Sequence, residues 1–349
     1  MKTILLVSTQ GLMEGKLFKS DTKEIRAREI AGPMVELRDR LNKKGYLVKT
    51  ADSHEELEEA EAIIFFDYYP NVSYYQEAVK RKLDHKMYLI VAEPPMTVPE
   101  GHDPKFHTHF KRVLTYNTEM IDGKKYLEYT FTIPIKSDEK IVLPRSPYSS
   151  KKLLTLVSGN KFSPHQNELY GERVNAIRFM EKNHPHDFDL YGTGWEIPIV
   201  HKRWASKIKI NGAIYRFWPK NWKVKQFPSY RGKLGDKRGT LDKYKFTISY
   251  ENGIARGWIS EKLLEVMLYG SVPVYLGDPE IEKIIPKECF IDKRDYPTYE
   301  ALYKRMVEMG EEEHTKYLDA IEKFLNSKKA YRFKVDAFVD SVENMLEIK

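Results

Sequence analysis

The sequence holds a single cysteine, Cys289, among its 349 residues. No intrachain disulfide can form, and the cysteine-rich zinc motifs are excluded. A chain so poor in cysteine suits a reducing compartment, so a cytoplasmic location is expected. No run of about 18 apolar residues occurs, and nothing reads as a membrane-spanning helix. The first residues, MKTILLVSTQG, carry one lysine and an apolar stretch too short for a secretory signal, and they read as a first strand. Internal repeats and low-complexity tracts are missing. Excess charge is modest: 58 basic against 51 acidic residues leave a net +7, spread along the chain. That balance fits an anionic substrate or loose peripheral contact with acidic lipid as well as it fits nucleic acid, and no nucleic-acid partner is expected.

What the chain has is aromatic content, 13% with 23 tyrosines, and a regular alternation of strand and helix signals. Thr3–Ser8, Tyr46–Thr50, Ala62–Phe66, Met87–Ala92 and Arg112–Thr115 are short β-branched or aromatic runs. Helical patterns over Gly32–Lys44 and Ser73–Leu83 lie between them, the second capped by Asn71 or Ser73. Strands alternating with helices predict a mainly parallel sheet, hence a Rossmann-like domain over residues 1–150. The polar, proline-bearing stretch Ser137–Lys152 reads as a linker.

Residues 151–349 read as a second α/β domain ending in several helices. Leu153–Ser158 is a strand, Ser163–Asn183 a helix, and Asp187–Tyr191 a strand, whereas residues 196–240 give no periodic signal. The stretch from Tyr244 to Gly277 organises this half. Tyr244, Phe246, Ile248 and Tyr250 alternate with polar residues as a strand does, and Glu251-Asn252 ends it. After a loop with Gly253 and Gly257, Ser260 is placed to cap a helix whose first turn holds Glu261 and Lys262. Gly270 stops that helix, and Ser271–Leu276 returns as a buried strand. A β-α-β unit of this kind presents free N–H groups and a positive helix end to an anion, and Lys262 adds a full charge where a diphosphate would sit. A first-turn Glu-Lys pair also occurs on ordinary solvated helices, so this geometry alone does not decide.

The wording of the stretch goes further. Glu251-Asn252, six intervening residues, Ile259-Ser260-Glu261-Lys262, Val272-Pro273-Val274-Tyr275-Leu276-Gly277 and Phe290-Ile291 closely resemble the donor-binding signature of the α-1,3/1,4-fucosyltransferases, glycosyltransferase family ten, in a soluble bacterial-type form. The family pattern has Tyr where this chain has Trp258 and Thr where it has Ser260. The resemblance implies the GT-B fold, two Rossmann-like domains facing across a cleft, with acceptor on the first and nucleotide-sugar on the second. It also implies an inverting transfer of fucose from GDP-fucose to a glycan hydroxyl, with an oligosaccharide or lipopolysaccharide-type acceptor, no required cofactor, and divalent metal at most stimulatory.

Site residues follow from the same resemblance. Lys262 meets the leaving diphosphate, Glu261 accepts hydrogen bonds from donor hydroxyls, and Glu251, Asn252 and Ser260 belong to the donor site. Trp258 either packs on a sugar or base face or anchors the loop. The family carries an Arg at the position of Gln166, which has no charge. Arg173, on the same helix face, or Lys161 in the preceding loop is the replacement. Glu93 ends the strand Met87–Ala92, and Glu93-Pro94-Pro95 stands where the family has Glu-Ser-Pro with the proposed general base. Asp187-Phe188-Asp189 spells a metal-binding Asp-x-Asp, yet it lies on a strand whose Phe188 and Leu190 alternate into a core, so no metal site is expected. His102, His107 and His109 are too irregularly spaced to read as ligands. Two other readings remain: the same fold with a different nucleotide-sugar donor, and a non-catalytic protein whose cleft holds a glycan.

Overall fold

The computed structural model describes residues 2–8, 16–18, 25–67, 71–199, 217 and 226–348. They form two units. The first comprises residues 1–139, 256–258 and 330–349; the second comprises 140–255 and 259–329.

In the first unit, β1 (Lys2–Ser8), β2 (Tyr46–Thr50), β3 (Ala62–Phe66), β4 (Met87–Val91), β5 (Arg112–Thr115) and β6 (Tyr126–Glu128) pair in parallel in the order β2-β1-β3-β4-β5-β6. β3 and β4 read Ala-Ile-Ile-Phe-Phe and Met-Tyr-Leu-Ile-Val, apolar without alternation, because both faces of a parallel sheet are covered. β6 adds a sixth strand to the five runs visible in the sequence. Three residues with only Leu127 buried are too short to show a period. Helix α1 (Ile25–Lys43) begins before the expected Gly32, and α2 (Ser73–Lys80) is preceded by Val72 with no side-chain cap.

The second sheet runs β11-β10-β9-β7-β8, again all parallel, with β7 (Lys152–Val157), β8 (Phe188–Tyr191), β9 (Tyr244–Tyr250), β10 (Val272–Leu276) and β11 (Ile291–Asp292). Helix α3 spans only Tyr170–Asn183. The residues just before it form a turn and an isolated antiparallel bridge from Glu168 to Gly253, where Leu169 N donates to Asn252 O (2.9 Å) and Ile254 N to Asn167 O (2.8 Å), which draws them away from the helix. Helix α4 is Glu261–Leu268, and α5 (Tyr299–Glu308), α6 (Glu311–Leu325) and α7 (Val335–Leu346) follow.

The sequence assigned residues 151–349 to one domain, but the last twenty belong to the first unit. The reason is the apolar face of α7. Phe338, Val339, Val342 and Met345 enter one core with Met34, Leu37 and Leu41 of α1 and the strand residues Ile4, Leu6 and Ile64. Burying four such side chains contributes roughly 6–12 kcal/mol as an upper bound. Arg40 and Lys44 of the first unit then pair with the partly buried Glu343 at 2.9 and 2.7 Å. No helix among the described residues is long and apolar enough to cross a membrane.

Candidate active site

Both sheets reverse their strand order at one point, the first between β1 and β3, the second between β7 and β9. Ligands of open α/β sheets collect at the carboxyl ends of strands beside such a reversal. In the second unit that position is occupied by Ser158 after β7, by Glu251 and Asn252 after β9, and by the start of α4.

Ser260 is the N-cap of α4, with φ −89° and ψ 173°, and its hydroxyl accepts from Lys262 N. Glu251 lies beneath it with no exposure. Its Oε1 accepts from Ser260 N at 2.8 Å and its Oε2 from the Ser260 hydroxyl at 2.6 Å. Burial pushes the Glu251 carboxyl above its ordinary range, against the nearby Lys262 charge and the two Ser260 bonds. Gly277 leaves room for this carboxylate: a Cβ there would stand 2.5 Å from Glu251 Cγ. The side chains of Glu261 and Lys262 retain 34% and 26% exposure. Lys262 Nζ lies 3.0 Å from Ser260 Oγ, 3.4 Å from Glu261 Oε1 and 3.8 Å from Glu251 Oε2. Burial pushes the Glu261 carboxyl up, but Lys262, the helix-end N–H and Lys237 outweigh it and hold the carboxyl below its usual value. Lys237 itself pairs with the buried Glu265 of α4. A cavity of about 30 Å³ is lined in part by Ser158, Ser249, Lys237 and Lys262. Among the described residues the buried Ser158 and Ser249 hydroxyls find no hydrogen-bond partner.

The remaining expected donor residues divide. Asn252 and Arg173 join the cluster, but as its frame. Arg173 is 2% exposed, and its Nη2 donates to Tyr250 O (2.6 Å) and Asn252 Oδ1 (3.1 Å). So placed, it ties the end of β9 to α3 instead of presenting an open guanidinium. Lys161 is exposed on the loop after β7. Trp258 belongs to the first unit, where it is 1% exposed. Its indole N–H donates to Ala92 O at 3.1 Å, and its ring lies against Tyr116 and Phe131, the loop-anchor alternative. Gly257 permits this approach: it has φ +75°, and a Cβ would fall 2.2 Å from the Tyr116 carbonyl oxygen.

In the first unit Glu93 follows β4. Its N–H donates to Asp67 Oδ1 at 2.9 Å, and its carbonyl lies 2.9 Å from His102 Nε2. A carbonyl only accepts, so His102 carries its proton on Nε2. Among the described residues none hydrogen-bonds or ion-pairs with the Glu93 carboxylate, which is half-buried. Sequence reasoning missed Asp67. The signal was present, since Asp67 ends the apolar run of β3 as Glu93 ends that of β4. Asp187 and Asp189 are both taken by protein donors: Asp187 Oδ2 accepts from Tyr303 OH, and Asp189 accepts from Lys152, Arg231 and Tyr244. His107 is buried against the Gly101 carbonyl, and His109 pairs with Asp84.

Residues 214–344 match the family described as glycosyltransferase family 10 (fucosyltransferase), C-terminal domain. Over 72 residues the chain is 40% identical to 4-galactosyl-N-acetylglucosaminide 3-alpha-L-fucosyltransferase 9 of Homo sapiens, covering 20% of each. Over 82 residues it is 32% identical to GDP-fucose protein O-fucosyltransferase 3 of Gallus gallus, 23% of this chain and 17% of that one. The matched segments thus span about a fifth of these relatives. A crystal structure of an alpha1,3-fucosyltransferase with GDP-fucose aligns over 99% of this chain and 91% of its own, with TM-score 0.54 and 12% identity. That likeness is one of fold, two parallel α/β units of the GT-B class.

Proposed function

We propose that the chain, whose residues 214–344 match glycosyltransferase family 10, transfers fucose from GDP-fucose to a glycan hydroxyl, inverting the anomeric carbon. The observation that carries the reading is the start of α4. A half-exposed Lys262 and Glu261 stand on a capped helix N-terminus at the strand-order reversal, above a buried Glu251 that fixes the cap. Helix N–H groups and Lys262 meet the negative charge that develops on the departing diphosphate. Binding of the diphosphate competes with Glu261 for Lys262 and frees that carboxylate for donor hydroxyls. The Ser158 and Ser249 hydroxyls, without a partner among the described residues, are two further donors beside Lys262.

Glu93 of the first unit serves as the general base. It takes the acceptor hydroxyl proton as the oxygen bonds to C1 of fucose; the C1–O bond to GDP breaks, and its electron pair leaves with the diphosphate. With these cations and N–H donors the scheme uses no metal. The acceptor class follows the Homo sapiens relative, a 4-galactosyl-N-acetylglucosaminide, borne here on an oligosaccharide or lipopolysaccharide, and the reaction is assigned to the cytoplasm. A second reading, another nucleotide-sugar on the same fold, is favoured by the uncharged Gln166 and by the burial of Arg173.

Calorimetric titration of GDP, UDP, ADP, CMP, GDP-fucose and GDP-mannose into wild type and Lys262→Ala tests the proposal. GDP and GDP-fucose binding that collapses in the variant is expected. Preference for another nucleotide selects the second reading, and absence of any nucleotide binding overturns both.

A further inference from the structure

Asp67 stands directly after β3, beside the strand-order reversal of the first sheet. It is 7% exposed and has φ +55°, in the left-handed region. One oxygen, Oδ1, accepts two consecutive backbone N–H groups, Ala92 N at 2.8 Å and Glu93 N at 2.9 Å. Its own N–H donates to Ile90 O at 2.8 Å, which locks the two strand ends together. On the other side of the same turn, His102 Nε2 donates to Glu93 O and lies 3.3 Å from the buried Tyr116 hydroxyl. Both main-chain polar groups of Glu93 are therefore tied, and among the described residues none hydrogen-bonds its carboxylate.

Resting on the reading of Glu93 as the base, we infer that Asp67 is a positioning residue of the reaction, whose carboxylate holds the Ala92–Glu93 turn and sets the electrostatic field behind Glu93. A structural role alone does not require the carboxylate. An Asn would accept the same two N–H groups through its amide oxygen and tolerates the same backbone conformation. The acid is the less stable choice: burial pushes it up to about 7, with repulsion from Glu93 adding to the effect and the two N–H bonds opposing it. Asp67 and Glu93 thus stand in one local field, which an amide at position 67 would not supply. Among the described residues, the titratable groups facing Asp67 are Glu93 after β4 and Tyr116 after β5, with His102 bonded between them.

The test measures GDP release from GDP-fucose, with 4-galactosyl-N-acetylglucosaminide or water as the hydroxyl donor, for wild type, Asp67→Asn, Asp67→Ala and Glu93→Gln. Asp67→Asn is expected to fold, to keep KM for GDP-fucose within about twofold, and to lose roughly 10–100-fold in kcat, within the range of general-base effects. The acid limb of its kcat/KM profile should move to lower pH. Asp67→Ala should lose more, because the turn loses both bonds. If Asp67→Asn turns over at the wild-type rate with an unmoved pH profile while Glu93→Gln is inactive, the inference about Asp67 falls and the base assignment stands. Full activity in Glu93→Gln overturns the base assignment and the inference together. Failure of Asp67→Asn to fold also overturns the inference, since the amide was argued to satisfy the same bonds.

Discussion

Replacing Glu251 separates a floor residue from a ligand contact. Its carboxylate has no exposure and receives two hydrogen bonds from Ser260, at 2.8 and 2.6 Å, with Lys262 Nζ at 3.8 Å. Hydrogen bonds to a charged group contribute about 1.5–3 kcal/mol each. Glu251→Ala removes both, strands the Ser260 N–H without water, and releases the helix cap, so a loss of roughly 3–5 kcal/mol is expected. In Glu251→Gln the amide oxygen still accepts the Ser260 N–H, and the amide NH₂ can turn to the hydroxyl. The lost attraction to Lys262 is offset by no longer burying a charge, so the cost should be about 1 kcal/mol. Because the side chain does not reach the surface, GDP affinity of the Gln variant should stay within about threefold of wild type, less than 0.7 kcal/mol. Urea unfolding midpoints with hydrogen exchange at the start of α4 read the first quantity, and calorimetry with GDP reads the second. The reasoning is refuted if Glu251→Ala keeps the wild-type midpoint while GDP binding weakens tenfold or more.

Lys262→Ala should weaken GDP by roughly 2–3 kcal/mol, or 30–150-fold, since a half-exposed ammonium near phosphate acts in a medium between water and protein interior; an effect under threefold would remove Lys262 from the donor site. Asp67→Asn should change the pH dependence of stability. A raised carboxyl pKa means that the folded state keeps a proton which the unfolded state releases, so the contribution is whole below about pH 4 and is lost as pH rises to about 7. Relative to wild type the Asn variant should gain up to roughly 4 kcal/mol between pH 4 and pH 7.5, read from urea midpoints at the two values, and parallel curves would contradict the assigned burial cost. Trp258→Ala should destabilise the first unit by roughly 3–5 kcal/mol through the lost ring and the orphaned Ala92 carbonyl, with GDP affinity unchanged; a selective loss of GDP-fucose affinity would instead make Trp258 a donor contact. Phe338→Ala on α7 should cost about 3–5 kcal/mol in thermal unfolding of the same unit, and a neutral result would detach that helix from the α1 core.

The difference between what was legible in the sequence and what was not follows the range of the interactions. The Ser260 cap, the Glu261-Lys262 first turn and the strand Tyr244–Tyr250 are set within a few residues, and local period and capping chemistry are enough to place them. The destination of α7 was not legible, because an amphipathic face says that a helix packs but not on which sheet. Arg173 shows the same limit at one side chain. Helical spacing puts it on the correct face of α3, yet only the long-range pairing of Leu169 with Asn252 turns that face toward the end of β9 and buries the guanidinium there. Trp258 lies a few residues from Lys262 in sequence but belongs to the other unit, because Gly257 lets the loop approach the Tyr116 carbonyl. Asp67 was missed for a different reason. Its local signal, an acid at the end of an apolar strand, equals that of Glu93, and only the spatial order of the strands shows that the two ends are neighbours. Sequence proximity to a motif is therefore weaker grounds for a site role than a shared sheet edge. On that criterion the turn at Glu93, the proposed base, comprises Glu93, Asp67 and His102 together, and Asp67 reaches it only because β3 pairs with β4.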